Sequence, residues 1–264
     1  MQDYWAEKKE RSKMAVFHTK EMQDKYGPQI SACVSETVIY GPDELNGVLS
    51  RDKTGLPNIV LKNIDSVRAV MMTAERYGKT AVLNFSCYKH PGGMFIQGSK
   101  AQEECLCMES FLYNVLKEKE SDFYIPNRKD PNRSLYRNKA LYTPDVLFMR
   151  GSEVKKCDVI TCAAPNATAS RKYNGTSEDV IDRTMRDRIF FVCAAAEKEN
   201  VRTLILGAYG CGVFGNDPLK TGQYFCEALC RTHVRNVLFA VPGRRNDPNY
   251  VGIEKAVRNF VSGH

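Results

Sequence analysis

Two acids in the run Gln102-Glu103-Glu104 follow a glycine pair, Gly92-Gly93, within one loop-sized stretch of this 264-residue chain. Carboxyl side chains are common carriers of a proton to or from a reacting oxygen. Paired glycines let a backbone take positive φ or come close to a ligand. A second stretch, Gly207 to Pro218, carries four glycines in nine positions directly ahead of a helical pattern. Such a loop can turn successive N–H groups toward a diphosphate, helped by the helix N-terminus. It is neither the G-x-x-x-x-G-K-[ST] pattern of a triphosphatase nor a G-x-G-x-x-G on a first strand. A third stretch, Thr161 to Asn166, sets small residues beside Asn166, whose amide can hydrogen-bond a ligand. Each has a plain structural reading too. Acids in a first helical turn complement the helix dipole, and glycines make tight turns.

These stretches are positioned by alternating elements. A helix is expected from about Tyr4 to Tyr26, stopped by Gly27-Pro28. Short strands follow at Thr37 to Tyr40 and Asn58 to Leu61, then a helix from Ile64 to Tyr77. Thr80 to Phe85 is a continuous apolar run, as in a strand buried on both faces. Ser99 with Gln102 reads as a capping box opening a helix from about Lys100 to Lys119. Residues 121–142 are basic and rich in Tyr, Asn and Pro, and read as an irregular insertion or flexible lip. Strands at Val146 to Met149, Val159 to Cys162, Leu204 to Leu206 and Val237 to Val241 alternate with helices at Ser177 to Glu199, Pro218 to Arg231 and Asn249 to Val261. The alternation argues for an α/β fold with a largely parallel sheet. Ligands then bind at the carboxyl ends of strands, in the loops after Phe85, Cys162 and Leu206.

Composition narrows the function classes. Against 31 acids stand 38 Lys and Arg, a net charge of +7, with the signs interspersed. That argues against a direct nucleic-acid binder and leaves a mild pull on phosphates. A hydrophobic fraction of 43% with 26% charged residues excludes wholesale disorder. The ten cysteines show no C-x-x-C spacing, so no metal set is expected. The polar N-terminus lacks a signal-like apolar run, and no stretch is long and apolar enough to span a membrane. A reducing cytoplasm is the expected location.

Together the motifs resemble those of the microbial-type poly(ADP-ribose) glycohydrolases, a branch of the macrodomain superfamily. That family's glycine run, spacer and Gln-Glu-Glu correspond to Pro91-Gly92-Gly93-Met94 and Gln102-Glu103-Glu104. Its Val-Leu-Asn-Phe strand corresponds to Val82 to Phe85, and its Ala-Pro-Asn to Ala164 to Asn166. Its Gly-Ala-aromatic-Gly-Cys-Gly-Val-Phe loop corresponds to Gly207 to Phe214. Tyr142 to Val146, Asn63-Ile-Asp65, Arg11 and Tyr26-Gly27 are smaller echoes. One departure is visible: Met94 stands where the family has its third glycine.

The resemblance implies a macrodomain-like three-layer α/β/α fold with a mixed, largely parallel sheet over residues 1–264. Residues 1–35 would form an N-terminal helical extension and 121–142 an insertion. It implies a metal-free and cofactor-free enzyme that cleaves the ribose–ribose bonds of poly(ADP-ribose). Glu104 would be the general acid/base and Glu103 would orient it and a ribose hydroxyl. Gly92, Gly93 and Gln102 would shape the distal ribose site. Gly210, Cys211, Gly212, Val213 and Phe214 would hold the diphosphate and distal ribose. Asp65 is either the acceptor of the adenine amino group or a helix N-cap. Asn84 is either a ribose contact or a satisfied core amide. Tyr209 and Tyr173 are either stacking partners for adenine or core aromatics. The substrate partner would be ADP-ribose, its polymer or an ADP-ribosylated protein. The alternatives are a reader that binds ADP-ribose without cutting it, or a protein that hydrolyses or sequesters another ADP-ribose-linked or NAD-derived substrate.

Overall fold

The computed structural model describes residues 2–52, 55–244 and 246–262. In chain order the elements are α1 (Gln2–Glu36), β1 (Val38–Tyr40), β2 (Asn58–Lys62), α2 (Ser66–Thr73), β3 (Thr80–Phe85), α3 (Gln102–Met108) and α4 (Leu112–Glu118). There follow α5 (Ile125–Lys129), β4 (Ala140–Arg150), β5 (Glu153–Cys162), α6 (Ala167–Asn174), α7 (Glu178–Lys198), β6 (Thr203–Leu206), α8 (Pro218–Leu229), β7 (Asn236–Ala240) and α9 (Pro248–Ser262).

The strands make one sheet in the order β1-β4-β5-β3-β6-β7-β2. β1 and β5 run antiparallel to β4, while the five strands from β5 to β2 are parallel. Side chains alternate across it, as the pleat requires. Val82, Val159 and Ile205 face a core built with α1, α2, α3 and α4. Leu83, Ile160 and Leu204 face another built with α7, α8 and α9. The expected three layers and mixed sheet are therefore present. β3 is central and buried on both faces. Its neighbours β5 and β6 run parallel to it, so the loops after Phe85, Cys162 and Leu206 emerge side by side.

Several local expectations are corrected. α1 does not stop at Gly27-Pro28. Tyr26 leaves helical geometry (φ −125°, ψ 22°) and the helix resumes to Glu36. Pro28 falls in the first turn after that kink, where a missing N–H is tolerated. The helix expected over 100–119 is two helices. Ser110 breaks it, its hydroxyl donating to Leu106 O and accepting from Leu112 N, while its backbone bridges to Phe148 of β4. β4 starts at Ala140, inside the expected insertion. The rest of that segment is a π-type turn, α5 and a 3-10 turn, not a loose lip. Asn127 is fully buried and donates to Tyr88 O, and Arg128 donates to Lys89 O at 2.8 Å. The short α6 is absent from the sequence reading.

Candidate active site

The loop at 86–101 leads from β3 into α3. The expected N-cap, Ser99, does not cap; Ala101 does. Alanine has no side-chain acceptor, so the third helical residue closes the turn instead. Glu104 Oε2 accepts from Ala101 N at 2.9 Å, and its Oε1 accepts from Met94 N at 3.0 Å. Glu103 Oε2 accepts from Cys87 N at 2.7 Å, and its Oε1 accepts from Asn84 Nδ2 at 3.2 Å. Both acids are buried.

Gly93 stands between the two carboxyl groups with φ +60°. A Cβ there would lie 2.7 Å from Glu104 Oε1 and 2.9 Å from Glu103 Oε2. Gly92 (φ +63°) is packed as closely, against the Tyr113 ring. Met94, the departure from the triple glycine, needs no such freedom: it is not among the residues with positive φ. Its side chain is 45% exposed, while its N–H holds Glu104. The loop therefore takes a methionine at this position with its backbone contact to Glu104 intact.

Burial pushes the Glu103 carboxyl up to about 8, against the lowering pull of the Cys87 N–H and the Asn84 amide. The neighbouring Glu104 raises it further. Glu103 thus keeps its proton at neutral pH and can donate as well as accept a hydrogen bond. The linkage has a definite sign. Between pH 4.5 and about 8 the native state holds a proton that the unfolded chain has released. Stability from this group is therefore present at low pH and lost as pH rises through that window, by at most about 1.4 kcal/mol per pH unit. In Glu103→Gln this loss should vanish. Urea midpoints of both proteins from pH 5 to 9 measure it, and parallel curves would refute the raised value.

Asn84 is a buried amide that donates to Glu103 and to Thr161 Oγ1, and its Oδ1 has no partner among the described residues. Its burial fits a core amide, but the unpartnered Oδ1 departs from the satisfied one expected, and its Nδ2 positions Glu103. The Gln102 amide is committed to the protein: Oε1 accepts from Phe85 N, and Nε2 donates to Leu83 O and Ser66 Oγ. It pins the start of α3 to the end of β3.

A cavity of about 530 Å³ opens beside these residues, lined by Asp65, Phe85, Gln102, Gly210, Gly212, Val213, Phe214 and Asn249 among others. Glu103 and Glu104 do not line it; Glu104 lines an adjoining cavity of about 250 Å³ between α1 and α3. A cavity of about 550 Å³ near Asn46, Asn138 and Thr184 contains none of the residues singled out by sequence. In the glycine-rich loop, Gly210 has φ +72° and no room for a Cβ between Ala164 and Asn216. Asn216 Nδ2 donates to Gly210 O and Pro165 O, tying this loop to the one after β5. Val213, 89% exposed, stands at the rim, and the Cys211 thiol turns inward to Thr221.

Asp65 meets the helix-cap reading and sits at the cavity. It caps α2 through Arg68 N at 2.8 Å, and it lines the cavity. It also takes two hydrogen bonds from Arg150, which help hold its carboxyl below the usual range despite burial. Asn166 is the N-cap of α6, accepting from Ala169 N at 2.9 Å. Phe214 is half-buried, 6.2 Å from the Tyr136 ring, which stacks on Tyr88 at 4.3 Å. Neither tyrosine considered for adenine lines the 530 Å³ cavity. Tyr209 is wholly buried with its hydroxyl on Cys162 O, and Tyr173 is exposed on α6 beside Lys172.

A family model of the microbial-type PARG catalytic domain matches residues 10–151, where PARG denotes poly(ADP-ribose) glycohydrolase. The chain belongs to this family. The PARG of Thermomonospora curvata superposes with a TM-score of 0.84 at 27% identity, covering 94% of this chain and 99% of that one. The same enzyme bound to the inhibitor ADP-HPD gives 0.81 at 27%, covering 93% and 98%. The PARG of Deinococcus radiodurans in complex with ADP-ribose gives 0.80 at 28%, covering 88% and 98%. No match was found among the curated proteins. The family model ends before the loops at 163–166 and 207–218, yet the structural matches extend over nearly the whole chain.

Two residues escape the PARG motif. Arg150 holds Asp65, as above. Arg188 of α7 is buried, and its side chain reaches the chain just past β5, donating to Ala163 O as well as to Asn138 Oδ1 and Leu135 O. No carboxylate lies within 4.0 Å of it among the described residues. Alternating charges in Arg186-Asp187-Arg188 conceal it, since such a run reads as a solvated helix face.

Proposed function

We propose that this chain hydrolyses the O-glycosidic ribose–ribose bonds of poly(ADP-ribose) and releases ADP-ribose, with Glu104 as general acid and base. The observation that carries the reading is the pair of buried carboxyl groups facing Gly93 at the end of β3, beside a cavity bounded by Asp65 and by the glycine-rich loop. The family and its ADP-ribose-bound relatives support it. The adenosine half would lie toward Asp65 and Asn249, the diphosphate along the backbone from Gly210 to Phe214, and the distal ribose toward Phe214, Gly92, Gly93 and the acids.

Cleavage develops positive charge at the anomeric carbon and negative charge on the leaving oxygen. The Glu104 carboxyl gives its proton to that oxygen as the C–O bond breaks. The carboxylate then takes a proton from water as the water oxygen bonds to the same carbon. The products are ADP-ribose and a polymer one unit shorter, each with a new hydroxyl. Glu103, retaining its proton, donates to a ribose hydroxyl and holds the sugar against Glu104. Asn166 and Gln102 act by shaping their loops.

The test is incubation of the purified protein with poly(ADP-ribose), following free ADP-ribose by chromatography. Release is expected. Tight ADP-ribose binding without release would make the chain a reader. We also place the protein in the cytoplasm. All ten cysteines are free thiols, and no helix among the described residues is long and apolar enough to cross a membrane.

A further inference from the structure

The proposed reaction needs Glu104 held in one place, and the groups that hold it belong to a loop gripped by α1. We infer that Arg11 and Ser12 are positioning residues for Glu104, acting through the backbone of residues 94–101; the inference rests on the hydrolase reading above.

Both oxygens of Glu104 are tied to the ends of this segment, at Met94 N and Ala101 N. Between them the chain closes on itself, with Ser99 N donating to Met94 O and Gly98 N to Phe95 O. The free carbonyls of this turn point at α1. Ser12 Oγ donates to Ile96 O at 2.6 Å, and Arg11 Nε donates to Gly98 O at 2.9 Å. The contact is backbone against backbone. Gly98 has φ +76°, and a Cβ there would collide with Lys8 O and stand 2.8 Å from Ser12 N. Phe95, buried under the turn, meets the His18 ring of α1 edge-on. Arg11 also lines the same 250 Å³ cavity as Glu104.

The cavity assigned to adenosine and diphosphate contains no residue of α1. Of the gripped segment only Lys100 and Ala101 reach it, so loss of the grip should act mainly on turnover, with a smaller change in binding. A group displaced by about 1 Å from its reacting partner costs up to about a hundredfold in rate.

The experiment compares Arg11→Ala, Ser12→Ala and the double variant with the wild type. Each is read by kcat and KM on poly(ADP-ribose), ADP-ribose affinity by calorimetry, Tm, and backbone amide exchange over 94–101. The expected result is a kcat lower by about tenfold in a single variant and up to about a hundredfold in the double. ADP-ribose affinity should fall by much less than kcat and Tm should be held, with faster exchange confined to 94–101. An unchanged kcat in the double variant overturns the inference, as does a joint fall of kcat, affinity and Tm. If the wild type itself cuts no polymer, the hydrolase reading fails and exchange decides the grip. Local acceleration in the variants supports it, and no change refutes it.

Discussion

Glu104→Gln should release ADP-ribose from poly(ADP-ribose) about 10²–10⁴-fold more slowly than the wild type, the range expected for removing a proton-transferring side chain. The amide keeps the size of the carboxyl and one oxygen to accept from Met94 N or Ala101 N. Its NH₂ must face the other N–H, so the variant loses one hydrogen bond as well as the exchangeable proton. Binding should survive, because Glu104 does not line the 530 Å³ cavity. Single-turnover assays give the chemical step and calorimetry gives the affinity for ADP-ribose, so that the two effects separate. A Gln variant that retains a tenth or more of the wild-type rate would remove Glu104 from the proton-transfer role.

Gly93→Ala should be nearly as damaging through a single methyl group. Two independent effects combine. The left-handed backbone at φ +60° costs an L-residue about 1–2 kcal/mol. The new Cβ would also stand within 3 Å of an oxygen of each acid, closer than van der Waals contact allows. Both are backbone-anchored, Glu103 on Cys87 N and Glu104 on Met94 N and Ala101 N, so neither yields without breaking a hydrogen bond. Turnover should fall by about a hundredfold or more, in line with misplacement of a reacting group, with a smaller change in ADP-ribose affinity. Met94→Ala is the control: its backbone is not left-handed and its side chain is half-exposed, so a comparable loss there would point to general disruption of the loop. Chromatographic rate assays on both variants decide it.

The parts of this site that sequence reveals are those in which residue type and position are inseparable. Gly93 has to be glycine because carboxyl oxygens occupy the space of its Cβ. Glu103 and Glu104 are adjacent in sequence, so the helix start delivers both at once. Partners brought in by tertiary folding are hidden. Nothing near Gln102 shows that its amide is committed to Phe85, Leu83 and Ser66, nor near Asp65 that Arg150 will reach it from β4. The fold class was legible because the parallel strands are short apolar runs between helices. The boundaries were less so. Local rules stop a helix at Gly27-Pro28 and start one at Ser99. The packed chain kinks and continues past the first, and in the second case lets Glu104 replace the missing cap.

The sheet order has a consequence for synthesis. β1 and β2 follow one another in the chain but lie at opposite edges of the sheet. Each is paired far away in sequence, Ile39 with Leu141 and Val60 with Leu238. A nascent chain extending at about 5–20 residues per second therefore carries β2 unpaired for on the order of ten seconds or more, until β7 emerges. The glycine-rich loop after β6 and the loop after β3 likewise cannot meet until most of the chain has been made. The candidate site is thus assembled at the end of translation, and a chain cut short before β6 carries Glu103 and Glu104 without the glycine-rich wall of the cavity beside them.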